Sequence, residues 1–287
     1  MVWLRGLAEG HHPWEWYLLA GALLLFGFWE IFVPKRSVRS SLSSRMGSHV
    51  TLFFLAVGLS FIVLPLPGVA FALAMQKSPW GMGIAAVLPW PIRFFGGILI
   101  LDLVRYAAHF AFHAIAPLWR VHAIHHSDVD FDMTTGLRHH PLEVLLMAGA
   151  EFAAIALFAI PASAVFVLSC IVIAHALFSH ANASLPPAVE RILRLVIVTP
   201  QFHEVHHSID LREQKANLGN VFPWWDRLFG TAIEESRLGS SLRFGLDESQ
   251  RSPHLNVVRI LVDPFLASPS PVITSGAPVA AQSKRLM

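Results

Sequence analysis

Long apolar blocks constrain this chain more than any other feature. They run from about Tyr17 to Val33, Val50 to Met75, Ile92 to Phe112, Leu142 to Ile160 and Ala162 to Phe178. A helix needs about 20 apolar residues to cross the hydrocarbon core of a bilayer, and most of these blocks approach or exceed that length. Hydrophobic residues make up 54% of the 287 residues and charged residues only 14%, against roughly a quarter charged in soluble domains. The expectation is an all-α integral membrane protein with about four transmembrane helices. The first block is read as an anchor rather than a cleaved leader, because Glu9 and Glu15 precede it in place of a basic segment. The second is interrupted at Pro65 and Pro67 but is long enough to cross. The last two abut at Pro161 and are read as a hairpin that enters and leaves from one side.

Charge gives the orientation. Pro34 to Ser48 contains Lys35, Arg36, Arg39 and Arg45 and no acidic residue, so the positive-inside rule places this loop in the cytoplasm and the N-terminus outside. Continuing the count puts both later histidine-rich regions on the cytoplasmic side. Nothing after Ala181 is apolar enough to span. The chain therefore divides into an N-terminal lead (1–14), a membrane-embedded unit (15–266, histidine-rich core about 102–231) and a Ser/Pro/Ala-rich tail (267–287) expected to be disordered. A net charge of +2 without a basic, aromatic-interleaved stripe gives no support for a nucleic-acid partner. The single cysteine, Cys170, excludes an internal disulfide and a multi-thiolate metal site.

Histidine is the compositional anomaly: 16 are present beside 2 tyrosines. Three clusters hold eight of them: His109-x3-His113, His122-x-x-His125-His126 and His203-x-x-His206-His207. Residues three or four apart share a helical face, so each cluster is expected to present two or three imidazoles in one direction. Neutral imidazole suits Zn, Cu, Fe and Ni. Eight donors exceed what one ion takes, so the count predicts two metals. The isolated His11, His12, His49 and His254 are read as ordinary satisfied polar residues.

The surrounding residues extend the pattern. They run Asp102-x3-Tyr106-x2-His109-x3-His113, then Leu118-Trp119-x2-His122-x2-His125-His126, then Thr135-x2-Arg138-x-His140-Pro141-x-Glu143. There follow His180-x-Asn182, Thr199-Pro200-x2-His203-x2-His206-His207, Asn217-x-Gly219 and Trp225-Asp226-Arg227-Leu228-Phe229-Gly230-Thr231. Together these motifs resemble the fatty acid hydroxylase/sterol desaturase superfamily of membrane di-iron oxygenases. The resemblance implies a four-helix platform under a cytosolic His-rich helical cap, and a di-metal centre that uses O2 to hydroxylate or desaturate a lipid C–H bond. It adds His140 and His180 as ligands by position, giving His109, His113, His122, His125, His126, His140, His180, His203, His206 and His207. The implied ions are two Fe, with Zn a possible occupant of a purified sample. Phe110, Glu204 and Leu218 depart from the residues usual at their positions and bear on the surroundings of the ligands.

His139 and His175 are off the faces of their ligand neighbours and are weaker candidates. Carboxylates should orient the ring N–H groups. Asp102, one helical stripe from His109, is the first candidate, with an ion pair to Arg105 as its alternative role. Asp128, Asp130, Asp132, Glu143, Glu204 and Asp210 follow. Trp224 and Trp225 are read as anchoring or packing residues. With no Rossmann glycine fingerprint and no haem-attachment motif, electrons are expected from a cytochrome b5-like or ferredoxin/reductase partner. The rival readings are an intramembrane zinc protease, since residues 203–207 also spell HExxH, and a metal-binding or transport protein without chemistry. The location is a bacterial inner membrane or endoplasmic reticulum, with the site facing the cytoplasm.

Overall fold

The computed structural model describes residues 13–38, 42–64, 66–79, 87–246 and 256–266. The tail at 267–287, most of the 1–14 lead, Arg39, His11, His12 and His254 lie outside these residues. Among the described residues the chain is helical: α1 (Pro13–Phe32), α2 (Leu42–Val63), α3 (Gly68–Gln76), α4 (Trp90–Ala114), α5 (Ala116–His126), α6 (Pro141–Phe158), α7 (Ala162–Ser179), α8 (Pro187–Leu193), α9 (Pro200–His206), α10 (Trp224–Phe229) and α11 (Val257–Leu266), with single 3₁₀ turns at Met133–Leu137 and Gly239–Ser241. Two isolated bridges, Pro34 to Ala183 and Ser208 to Phe244, are the β pairings among these residues.

Five segments are long and apolar enough to cross a membrane, Glu15–Phe32, Arg45–Gln76, Trp90–Ala114, Pro141–Phe158 and Ala162–Ser179, against the expected four or so. The outward faces agree. Leu24, Leu25, Phe28, Ile31 and Phe32 of α1 and Phe54, Phe61 and Ile62 of α2 are exposed. Contiguous apolar surface of that kind is unfavourable in water and natural against lipid. The inner faces form one core from Val69 and Ala72 of α3, Ile98 and Leu101 of α4, Ala154 and Ile155 of α6, and Ala164, Val165 and Leu168 of α7.

Helix α6 leaves the histidine region and α7 returns to it. The corner between them is built from Ala159 in the left-handed region (φ 49°), then Pro161 capping α7. The pair is not a tightly packed hairpin, because each helix packs on α3 and α4. Gly97 allows that approach: a Cβ there would stand 2.8 Å from the Ile160 side chain. The end of α4, the start of α6 and the end of α7 thus meet at one level, where α5 and α9 complete the site.

The expected basic loop is partly helix. Arg45 lies in α2, is fully buried, and forks onto Asp128 through Nε at 3.1 Å and Nη2 at 2.6 Å while Nη1 meets Asp132. Lys35 and Arg36 each pair with Glu204 at 2.7 Å. The basic segment is therefore docked on the histidine-bearing part of the chain.

Candidate metal centre

Each histidine is placed by a local feature of its segment. His109 and His113 lie four apart in the last turns of α4, and Ile115 and Pro117 then break the helix so that α5 can turn back. Pro at the start of a helix costs no hydrogen bond, and the same device recurs at Thr199-Pro200. There the Thr199 hydroxyl caps α9 by accepting the Phe202 N–H at 3.2 Å, and α9 carries His203 and His206 with His207 as its C-cap. His180 is the C-cap of α7.

Nine imidazoles form two buried groups, and within each the ring nitrogens lie within 4.8 Å of one another. His109, His113, His122, His126 and His206 make the first; His125, His180, His203 and His207 make the second. The two HxxHH motifs are shared between them. Each gives its i,i+4 pair to one group (His122 and His126, or His203 and His207) and its i+3 residue to the other (His125, or His206). Two of the three imidazoles in each HxxHH therefore share a direction and the i+3 one does not, because it is rotated about 60° from the first histidine and about 100° from the last. The groups abut, with the His126 and His207 rings stacked at 4.5 Å and those of His203 and His206 at 5.2 Å.

Proton placement tests whether these groups suit metals. His109 Nδ1 is 2.8 Å from the Leu218 carbonyl, His206 Nδ1 2.8 Å from Ala216 O, His125 Nδ1 3.2 Å from Arg138 O and His180 Nδ1 2.7 Å from Ala176 O. His122 Nδ1 is 2.9 Å from the Glu143 carboxylate. All five partners are acceptors, so Nδ1 carries the proton and Nε2 a bare lone pair. Yet Nε2 of His109 faces Nε2 of His122 at 3.1 Å, and Nε2 of His180 faces that of His125 at 3.2 Å. Opposed lone pairs at that distance repel unless a cation lies among them. His113 Nε2 and His206 Nε2 are buried without any partner. Burial, reinforced by neighbouring imidazoles, lowers the pKa values of His125, His126, His203, His206 and His207, and burial takes His180 down to about 3. These six rings are therefore kept neutral, as metal ligation requires. The donor set fits two imidazole-bound ions.

The other candidates fall elsewhere. His140 does not join either group: Pro141 opens α6, so His140 becomes its N-cap, with Nδ1 accepting from Leu142 N–H at 3.1 Å and Nε2 3.3 Å from Leu261 O. His139 stacks on His125 at 4.3 Å and reaches Glu143 at 2.8 Å. His175 is a packing residue whose Nε2 donates to Val198 O at 2.8 Å, and His49 sits 2.9 Å from the Thr134 hydroxyl.

Among the carboxylates, Glu143 is the one that orients a grouped imidazole. Asp102 does not. It accepts the N–H groups of Val221 and Phe222 and the Trp225 indole at 3.1, 3.2 and 2.8 Å, while Arg105 pairs with Glu151 at 2.6 Å. Asp128 and Asp132 serve Arg45, and Asp210 accepts the Arg212 N–H at 2.8 Å. Trp224 donates to Leu195 O at 2.8 Å, so both tryptophans pack rather than bind.

Sequence reasoning missed how the 216–219 turn is built. Asn217 adopts φ 53° and its amide donates to Phe202 O and Ile233 O at 2.7 and 2.8 Å. Asp226 accepts the N–H groups of Leu218 and Gly219 at 2.7 and 2.8 Å. A Cβ on Gly219 would stand 2.7 Å from Phe222 O. These three residues aim the carbonyls of Ala216 and Leu218 at His206 and His109. Their appearance in the Asn217-x-Gly219 and Trp225-Asp226 motifs was the available signal.

Residues 94–231 match the fatty acid hydroxylase family model. That segment contains all nine grouped histidines and bears out the resemblance read from the motifs. The chain is also similar to curated lipid-modifying enzymes. The ornithine lipid hydroxylase OlsE of Rhizobium tropici is 27% identical over 65% of this chain and 54% of its own length. The alkylglycerol monooxygenase of Homo sapiens is 30% identical over 52% of this chain and 33% of its own, and methylsterol monooxygenase 1 of Danio rerio 26% over 50% and 48%. The chain thus spans about a third to a half of these relatives. No solved structure matches it.

Proposed function

We propose that this chain is an O2-dependent lipid hydroxylase that works with two iron ions, one in each histidine group. The observation that carries the reading is the pair of abutting, buried groups whose Nε2 lone pairs face one another. The bound ions would supply the centre at which O2 is reduced and a lipid C–H bond oxidised. One oxygen atom enters the lipid and the other leaves as water, so two electrons and two protons are also consumed. The electrons come from an external donor of the cytochrome b5 or ferredoxin/reductase kind.

The chain's own residues hold and shield this centre. Carbonyls and Glu143 fix the Nδ1 protons and thereby turn every pinned Nε2 inward. Phe112 stacks with His122 at 5.5 Å, and Trp119 lies 5.0 Å from His113 and 5.4 Å from His126, which excludes water from the first group. The relatives are named for activity on an ornithine lipid, an alkylglycerol and a methylsterol, which supports a lipid substrate. Desaturation is the neighbouring outcome of the same oxidation. The protease reading is disfavoured because Glu204, which would have to act as general base, is held by Lys35 and Arg36. A transport role leaves the matching of imidazole protons to acceptors without purpose.

Expression in a host lacking the activity, under ¹⁸O2, should yield a lipid bearing one ¹⁸O hydroxyl. Peptide cleavage with no oxidised lipid would overturn the reading, while a new double bond without label would move it to desaturation. The site is assigned to the cytoplasmic face of the membrane. Reporters fused after Ser37 and after Thr231 should both read cytoplasmic, and opposite sides for the two would contradict a one-face site.

A further inference from the structure

The second histidine group has four imidazoles where the first has five, and an aromatic pair stands beside it. The Phe131 ring lies 5.5, 6.3 and 5.1 Å from those of His180, His203 and His207, and Phe244 stacks on Phe131 at 5.1 Å. Both phenylalanines line a cavity of about 290 Å³. The same cavity is lined by two arginines from distant parts of the chain, Arg36 and Arg243, and by the hydroxyl-bearing Ser37 and Ser240.

Arg36 is held in place on several sides. Asn182 clamps its backbone, accepting the Arg36 N–H at 3.0 Å and donating to the Arg36 carbonyl at 2.8 Å. Its Nη1 donates to Glu204 at 2.7 Å, and its guanidinium lies 5.1 Å over the Phe244 ring. Asn182 and Glu204 are two residues and one residue beyond His180 and His203, so Arg36 is tied rigidly to the second group. Arg243 is exposed, and among the described residues its side chain has no partner. Among the described residues the charges near the cavity do not cancel. Lys35, Arg36 and Arg243 face Glu204, which pairs with the first two, and Asp130, a buried residue of the wall.

We propose that this cavity binds the anionic head, a phosphate or carboxylate, of the lipid whose tail is oxidised at the histidine groups. This deepens the lipid-hydroxylase reading and rests on it. Guanidinium groups are well matched to phosphate and carboxylate, the volume suits a small head rather than an acyl chain, and the Phe131–Phe244 floor is the apolar side toward the second group. A head fixed by Arg36 and Arg243 sets the distance along the tail at which oxidation falls.

Equilibrium binding of radiolabelled hexadecyl phosphate to the full-length protein in neutral detergent micelles tests the assignment. Hexadecyl phosphate should bind at least tenfold more tightly than hexadecanol and more tightly than inorganic phosphate. Arg36→Gln and Arg243→Gln should each weaken it about tenfold, the scale of one charge-assisted contact, whereas Arg212→Gln, exposed and outside the cavity, should leave it unchanged. Arg243→Gln removes no group partnered among the described residues, so its unfolding temperature should equal that of the parent and its loss of binding report the cavity alone. Equal binding of hexadecyl phosphate and hexadecanol, or binding indifferent to both cavity variants, would overturn the proposal. Inorganic phosphate binding as tightly as hexadecyl phosphate would also overturn it, by making the cavity a free-anion site. Binding is read without turnover. Charge-dependent binding with no oxidised lipid would therefore sink the hydroxylase reading alone, and oxidation of a lipid with no charge-dependent binding would sink the head site alone.

Discussion

His206→Ala is expected to abolish lipid oxidation and to lower the metal content, whereas Glu204→Gln keeps most of the activity. The two substitutions separate the oxygenase from the HExxH protease. In a zincin the glutamate deprotonates the metal-bound water, and losing a general base costs about 10² to 10⁴-fold in rate. Here the Glu204 carboxylate is held at 2.7 Å by both Lys35 and Arg36, and glutamine retains an acceptor for one of them. His206, at a position the protease motif leaves free, stands in the first group with an unpartnered, buried Nε2. Product analysis of both variants, for oxidised lipid and for cleaved peptide, would show the reverse ranking if the protease reading held.

A second large effect is expected at Arg45, far in sequence from any grouped histidine. Arg45→Met should lower stability by about 3–5 kcal/mol, the usual cost of stranding a buried ion-pair partner. The substitution leaves two buried carboxylates, Asp128 and Asp132, without their cation. Asp132 also caps the turn at Met133–Leu137 by accepting the Thr134 N–H at 2.9 Å, and that turn leads directly to Arg138, whose carbonyl takes the His125 proton. Arg45→Lys, which keeps the charge but not the two-pronged contact, should fall between. Thermal unfolding in micelles measures the effect, and an unchanged midpoint in Arg45→Met would contradict this account of the triad.

The spans were legible in the sequence because lipid demands continuous apolar length, and α4, α6 and α7 carry it plainly. The histidine clusters were legible because helical spacing puts imidazoles three and four apart onto neighbouring faces. The division of each HxxHH between two groups was not, since it depends on where α5 and α9 sit relative to each other. His140 was assigned by its place in a motif, and the N-cap that Pro141 makes of it outweighed that position. Asp102 and Asp226 belong to the same lesson. Asp102 was expected to touch a ring, yet it holds backbone N–H groups of the segment that delivers carbonyls to the rings, as Asp226 does. Lys35, Arg36 and Arg45 read as a solvated basic loop because their acidic partners, Glu204, Asp128 and Asp132, are remote in sequence.

The metal content of the full-length protein tests the central claim most directly. After anaerobic loading with ferrous iron and removal of loosely bound metal, elemental analysis against protein concentration should give two ions per chain. One ion per chain in a fully loaded, active sample would contradict the two-group centre.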